Sequence, residues 1–158
     1  MLRISRLTDY GTLVLAHLSG AEEELTSAAE VSSATGIALP TVSKLLKKLA
    51  KSGLVTSARG AQGGYRLSRN SHQISAADII DALEGPVRIT KCSAKDSNCD
   101  LEDNCNVGGA WQRINVAIRR ALGDINLADL QTTRAPVPSF NFAGLPVNVE
   151  AQDSKYVD

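Results

Sequence analysis

The sequence predicts a mainly α-helical fold: a winged helix-turn-helix domain with a small β-hairpin as its wing, and a further helix towards the carboxyl end. Three stretches before residue 54 combine helical apolar spacing with start and stop residues. A glycine-rich, basic stretch with two strand-like runs follows, and then all three cysteines of the chain fall within residues 92–105. The predicted boundaries are 1–70 for the winged domain, 71–91 for a connecting helix, 92–105 for a cysteine loop, 106–130 for the further helix and 131–158 for a flexible tail.

The first two helices are predicted from their start signals. One begins at Thr8 or Asp9 and carries apolar residues at helical spacing. The other begins at Ser27, whose side chain forms a capping box with Glu30, and ends at Gly36. A capping box satisfies two backbone N–H groups at the helix start, so this second boundary is the better defined one.

The third helix is predicted from Pro40, which a first helical turn tolerates, to Gly53. Its apolar face consists of Val42, Leu45, Leu46 and Leu49. A short glycine-containing turn joins it to the second helix, which is the helix-turn-helix arrangement. Hydroxyl side chains near the helix start suit base edges and lysines suit phosphates. The candidate nucleic-acid contacts on this helix are Thr41, Ser43, Lys44 and Lys47.

The stretch after the third helix is predicted to be the wing. Its turn contains Gly60, Gly63 and Gly64, which can take positive φ at a hairpin tip. Arg59 and Arg66 flank the turn and could reach a phosphate or a minor groove. The lysines of the third helix taken alone would fit a solvated face, but a basic wing beside them favours binding to double-stranded DNA.

The three cysteines, Cys92, Cys99 and Cys105, form a pattern typical of metal ligands. Thiolates on one short segment can converge on a single soft metal centre. Their acidic neighbours raise thiol pKa values, which disfavours a free reactive thiol. These neighbours are Asp96, Asp100, Glu102 and Asp103. The residues alone leave two readings open, an iron-sulfur centre or a zinc-stabilised interaction module, because zinc also accepts three thiolates.

Composition and charge narrow the class of protein. The chain has 158 residues, 43% of them hydrophobic, and it has no apolar run near the roughly 18 residues of a membrane span. No secretion signal is visible and an odd cysteine count argues against a disulfide framework, so the prediction is a cytoplasmic protein without a membrane partner. Residues 1–70 carry a net charge of +4 and residues 71–158 a net charge of −4. No nucleophile-base pair or phosphate loop indicates an enzyme.

The order LTDYG, AAEVSSATGI, PTVSKLLKKLAKSGLV, RGAQGGYRL and SAADIIDALEG, followed by the cysteines, resembles the iron-sulfur winged-helix regulators of the IscR, NsrR and RirA type. Within that family the chain most resembles regulators of the Suf iron-sulfur assembly operon. The resemblance implies a homodimer that binds a palindromic DNA operator and controls iron-sulfur assembly genes. It implies a 2Fe-2S or 4Fe-4S cluster on the three cysteines that senses cluster status or redox stress. A nitric-oxide- or iron-responsive regulator is the alternative within the family.

The resemblance also bears on the fourth cluster ligand and on the dimer. IscR-like members have a histidine where this chain has Gly108, which cannot ligate. Other members use an acidic side chain donated across the dimer, and Asp9 stands at that position. A helix N-cap is the other role open to Asp9. The further helix, 106–130, is expected to be the dimerisation helix, with an apolar stripe of Trp111, Ile114, Ile118, Ala121 and Ile125.

Overall fold

The structure is a computed structural model that describes residues 4–21, 24–60, 62–90, 107–132, 140–142 and 145–147. Over these ranges the chain is mainly α-helical with two antiparallel β-hairpins. The elements are α1 (Arg6–Ser19), α2 (Ala28–Thr35), α3 (Leu39–Lys51), β1 (Val55–Ala58), β2 (Gly64–Leu67), a 3-10 turn (Ser71–Gln73), α4 (Ala76–Leu83), α5 (Gly108–Gly123), α6 (Leu127–Gln131), β3 (Phe140–Phe142) and β4 (Leu145–Val147).

The predicted bounds of the second helix are confirmed, whereas the predicted start of the first helix is wrong. The capping box of Ser27 and Glu30 starts α2, and Gly36 ends it at φ +71°. The first helix, however, begins at Arg6, with Ser5 as the N-cap residue. Asp9 therefore lies inside the first turn and does not cap the helix. Serine is a favoured N-cap residue, so Ser5 is a local start signal that the prediction from Thr8 or Asp9 overlooked. The Ser5 N–H also donates to the Glu84 carboxylate, far along the chain.

The hydrophobic core extends beyond the predicted winged domain of residues 1–70. Side chains from α1, α2, α3 and β1 pack together with Ile74, Ile79 and Leu83. Leu127 of α6, fully buried, completes the same core. The predicted helix over 106–130 is in fact broken after Gly123, and Ile125 lies between α5 and α6. The Ile125 carbonyl accepts from the Ala76 N–H at 2.8 Å, so the end of the chain's helical part is fixed to the start of α4.

The wing forms as predicted, but two of its glycines are required for a different reason. β1 pairs with β2, with Thr56 opposite Arg66. Gly60 has φ +117°, whereas Gly63 and Gly64 do not have positive φ. A Cβ on Gly64 would lie 2.8 Å from the Thr26 carbonyl oxygen, and one on Gly63 would lie 2.5 Å from that of Ala58. These two glycines therefore allow close backbone contact.

The predicted tail contains regular structure that its sequence did not indicate. The prediction of no strand beyond Leu130 is wrong for two short segments, since β3 pairs with β4 in antiparallel register. Pro146 lies in β4 opposite Asn141, and a proline in so short a run weakened the strand signal.

Candidate nucleic-acid interface and cysteine segment

The outer face of α3 carries the predicted contact residues. Lys44 and Lys47 are exposed, and Thr41 and Ser43 are partly exposed beside them. The opposite face of the helix is fully buried in the core and holds it rigidly: Val42, Leu45, Leu46 and Leu49 are all 0% exposed. A helix anchored in this way can present its outer side chains to a groove with little loss of conformational entropy.

The wing lies against this helix and is anchored on both sides. β1 packs against α3. Thr26, just before α2, exchanges two backbone hydrogen bonds of 2.9 Å with Tyr65 of β2. Arg59, directly after β1, and Arg66 of β2 are both exposed. The structure thus places cationic side chains on α3 and on the wing that contacts it.

Lys48 has a different role from its neighbours on α3. Its ammonium group donates to the main-chain carbonyl oxygen of Leu83, at the end of α4. A cation is favourable there because the carbonyl end of a helix is partly negative. Lys48 therefore connects α3 to α4.

The end of α4 collects contacts from three further segments. Glu84 accepts from the Ser5 N–H at 2.9 Å and from the Thr8 hydroxyl, which fixes the start of α1. Asp81 accepts from the Val87 N–H at 3.2 Å. We call Asp81, Leu83 and Glu84 the α4 junction.

Asp81 also holds α5. Its carboxylate forms a two-point ion pair with Arg119, with one N···O distance of 3.1 Å, and this hydrogen bonding raises the Arg119 pKa. The α4 junction thus joins α3, the start of α1, α5 and the segment that leads towards the cysteines. The sequence does not display this junction, because the partners on α3, α5 and the start of α1 lie 35, 38 and 79 residues away from the junction residues that they contact.

Replacing Glu84 with glutamine is expected to flatten the pH dependence of stability. Hydrogen bonds from the Thr8 hydroxyl and then the Ser5 N–H lower the pKa of Glu84. A lowered carboxyl pKa gives stability that is fully present above the ordinary glutamate pKa and is lost as the pH falls through the folded-state value. Denaturant unfolding of wild type and Glu84→Gln between pH 7 and about pH 3 measures the difference. Thr8→Val should reproduce part of the effect, and parallel curves for wild type and Glu84→Gln would contradict it.

The predicted metal ligands fall in two different parts of the chain. Cys92, Cys99 and Cys105 lie outside the described residues. Asp9 is exposed on the first turn of α1. Within the described ranges, no three His, Cys, Asp or Glu side chains converge into a metal site. Likewise, none of the helices that the structure describes is long and apolar enough to cross a bilayer.

An apolar groove lies beside Asp9. Its volume is about 500 Å³, and it is bounded by α1, α4, the end of α5 and α6. Most of the side chains lining it are apolar, among them Ile4, Leu13, Ile80, Leu122, Ile125 and Leu130, whereas Thr8, Asp9 and Thr12 are polar. Ile4, Leu13 and Leu130 are each close to half exposed, at 57%, 52% and 46%. The groove is thus an apolar surface partly open to solvent.

Comparison with known proteins places the chain in a family. The chain is 36% identical over 102 residues to the HTH-type transcriptional regulator IscR of Xenorhabdus nematophila, covering 65% of this chain and 62% of that protein. It is 29% identical over 155 residues to protein aau3 of Rhizobium meliloti, covering 97% and 99%. The chain therefore spans less than two thirds of the IscR relative and nearly all of aau3.

Solved structures agree with the sequence comparison. CymR, the global cysteine regulator of B. subtilis, is 30% identical with a TM-score of 0.65, over 85% of this chain and 99% of that one. IscR of T. potens is 30% identical with a TM-score of 0.60, over 82% and 85%. These relatives are regulators and not enzymes. The Rrf2 family, described as iron-dependent transcriptional regulators, matches residues 4–133, so the chain belongs to the Rrf2 family.

Proposed function

We propose that this protein is a homodimeric DNA-binding transcriptional regulator in which an iron-sulfur cluster on Cys92, Cys99 and Cys105 changes the affinity for an operator. The observation that carries the proposal is the α4 junction. One end of α4 contacts the proposed recognition helix α3, and it also binds the main chain at Val87, five residues before Cys92 in the sequence. A change in the cysteine segment therefore has a short route to α3.

Binding to double-stranded DNA is supported by the charge and rigidity of the outer face of α3. Lys44 and Lys47 project from a helix whose inner face is wholly buried, and the two exposed arginines belong to the wing that packs against this helix. Lysine contacts to phosphates supply affinity independent of sequence, while Thr41 and Ser43 near the helix start can reach base edges.

The donor set fits an iron-sulfur cluster. Cysteine thiolates are the usual ligands of such clusters, and a carboxylate such as Asp9 can complete a set of three thiolates while leaving an exchangeable position. A bound cluster would supply a redox-sensitive cross-link between the three cysteines. Asp81 binds the chain on both sides of the cysteine segment. Its carboxylate accepts from the Val87 N–H, before the cysteines, and from Arg119 of α5, after them.

The homodimer is supported by the apolar surfaces that the single chain leaves open. On α5, Trp111 and Ile114, which are neighbours at helical spacing, are each 39% exposed, and Val116 elsewhere on the helix is 49% exposed. Together with the groove between α1, α4 and α6, they form an apolar area of the kind that a partner covers. The exposed apolar side chains of α5 in a second copy would match the apolar lining of this groove. Asp9 at its edge would then face the partner's cysteine segment.

Replacing Asp9 with alanine tests this arrangement. If the carboxylate ligates the partner's cluster, the variant should lose its cluster roughly tenfold faster and show an altered visible spectrum. The holo and apo forms should also differ less in operator affinity. A purely local role at the positive end of α1 predicts something else, a loss of about 0.3–1 kcal/mol of unfolding free energy in both forms with the cluster unchanged. Asp9→Glu, which keeps a carboxylate, is the control.

Anaerobic purification followed by a visible spectrum and analysis for iron, sulfide and zinc tests the proposed cofactor. A brown protein containing iron and acid-labile sulfide is the expected result. A colourless protein with stoichiometric zinc would favour the zinc-stabilised module, in which the cysteines only stabilise the fold. The resemblance to regulators of the Suf operon leads us to propose that the protein controls Suf-type iron-sulfur assembly genes. Mapping its operators upstream of such genes would test this.

A further inference from the structure

The outer ridge of α3 changes character along its length. Pro40, Lys44, Lys47 and Lys51 follow one another at helical spacing and are all exposed. This ridge lies opposite the buried ridge of Val42, Leu45, Leu46 and Leu49. The last three members of the outer ridge are cations, whereas the first is apolar.

Pro40 belongs to a larger apolar surface at the start of the helix. Ala38, Leu39 and Pro40 are consecutive and exposed, and Leu39 is 45% exposed. We call these three residues the apolar tip. A proline in the first turn helps to start the helix, but helix initiation does not require an exposed leucine beside it. Leaving that side chain half in water forgoes hydrophobic stabilisation.

The apolar tip has little capacity for hydrogen bonding to bases. Ala38, the N-cap residue, has no side-chain acceptor, and Pro40 has no N–H. The N–H groups of Thr41 and Val42 donate to the Ala38 carbonyl oxygen at 2.9 and 3.1 Å. The part of a recognition helix that enters a major groove first is therefore apolar here, and its polar groups begin at Thr41.

We propose that the apolar tip recognises thymine in the major groove by contact of Leu39 and Pro40 with the thymine 5-methyl group. This methyl is the apolar group that base pairs present at the major-groove edge, and apolar side chains are its matching partners. Lys44 and Lys47 on the same ridge would bind the flanking phosphates and hold the tip at the bases. This proposal rests on the proposed DNA binding and adds that thymine is the base that the apolar tip contacts.

The test removes single methyl groups from the DNA. An operator is first selected with wild-type protein from random duplexes, and each of its thymines is then replaced singly by deoxyuridine, which lacks only the methyl. Wild type is expected to lose roughly three- to tenfold affinity at one or two thymines in each half-site. Leu39→Ala and Pro40→Ala should bind the thymine and deoxyuridine operators within about twofold of each other at those positions. Alanine suits the start of a helix, so both variants should keep the wild-type unfolding midpoint.

Lys47→Ala is the matched control. It should bind both operators more weakly while keeping the full response to deoxyuridine, because it removes a phosphate contact from the same ridge. Wild type that is indifferent to every deoxyuridine, or two tip variants that respond as wild type does, would overturn thymine recognition and leave DNA binding intact. Wild type that binds no duplex at all would overturn the proposed regulator, and thymine recognition with it.

Discussion

Single replacement of Cys92, Cys99 or Cys105 by alanine is expected to abolish the visible absorption of the cluster and nearly all bound iron and sulfide. Three protein thiolates leave no spare ligand, so each one is required. The fold should survive, because the described residues form a continuous hydrophobic core from side chains of α1 to α4, β1, β2 and α6. Visible spectra and iron analysis of anaerobically purified variants, together with circular dichroism, check both parts.

Ser97→Ala is the matched control for the cysteine variants, since it alters the same segment without removing a thiolate. It should keep a normal cluster spectrum. If one of the three cysteine variants also keeps that spectrum and its iron content, the cluster is not held by these three residues.

Removing either lysine from the outer face of α3 is expected to weaken DNA binding strongly. Lys44→Ala and Lys47→Ala should each weaken binding about five- to tenfold for all sequences, because each removes one phosphate contact per protomer. The slope of log affinity against log salt should become shallower by about 1 for each lost contact, hence by about 2 per dimer. Fluorescence anisotropy titrations of a selected operator and of an unrelated duplex, at several salt concentrations, measure both quantities.

Arg113→Ala provides the control for net charge. Arg113 is exposed on α5, so its replacement removes the same charge away from α3 and the wing. Its salt slope should match that of wild type. Equal slopes for wild type, Lys44→Ala and Lys47→Ala would mean that the outer face of α3 does not bind phosphates.

The local elements could be predicted because their signals lie in adjacent residues. The capping box at Ser27, the helical spacing in α3 and the glycine-rich turn of the wing each depend on a few neighbouring side chains. The face of α3 that carries the candidate contacts follows from the same spacing, since the buried and exposed ridges alternate at a fixed period.

The features that escaped prediction depend on residues far apart in sequence. Glu84 accepts from the Ser5 N–H ahead of α1, and Leu127, which follows the end of α5 at Gly123, completes the core. Lys48 looked like its neighbouring lysines, yet a carbonyl group 35 residues away gives it a separate role. Gly64 is required by the approach of Thr26, a contact that no local turn rule contains. In each case tertiary packing decides the role of the residue, and a single sequence does not display it.

The most direct test of cluster-controlled DNA binding is the operator affinity of holo and apo protein from one anaerobic preparation. If the α4 junction transmits the state of the cysteine segment to α3, the two affinities should differ by about fivefold or more, the usual range of coupling between two sites. Iron and sulfide measured on the same samples assign the difference to the cluster. Equal affinities of holo and apo protein for the selected operator would contradict the account.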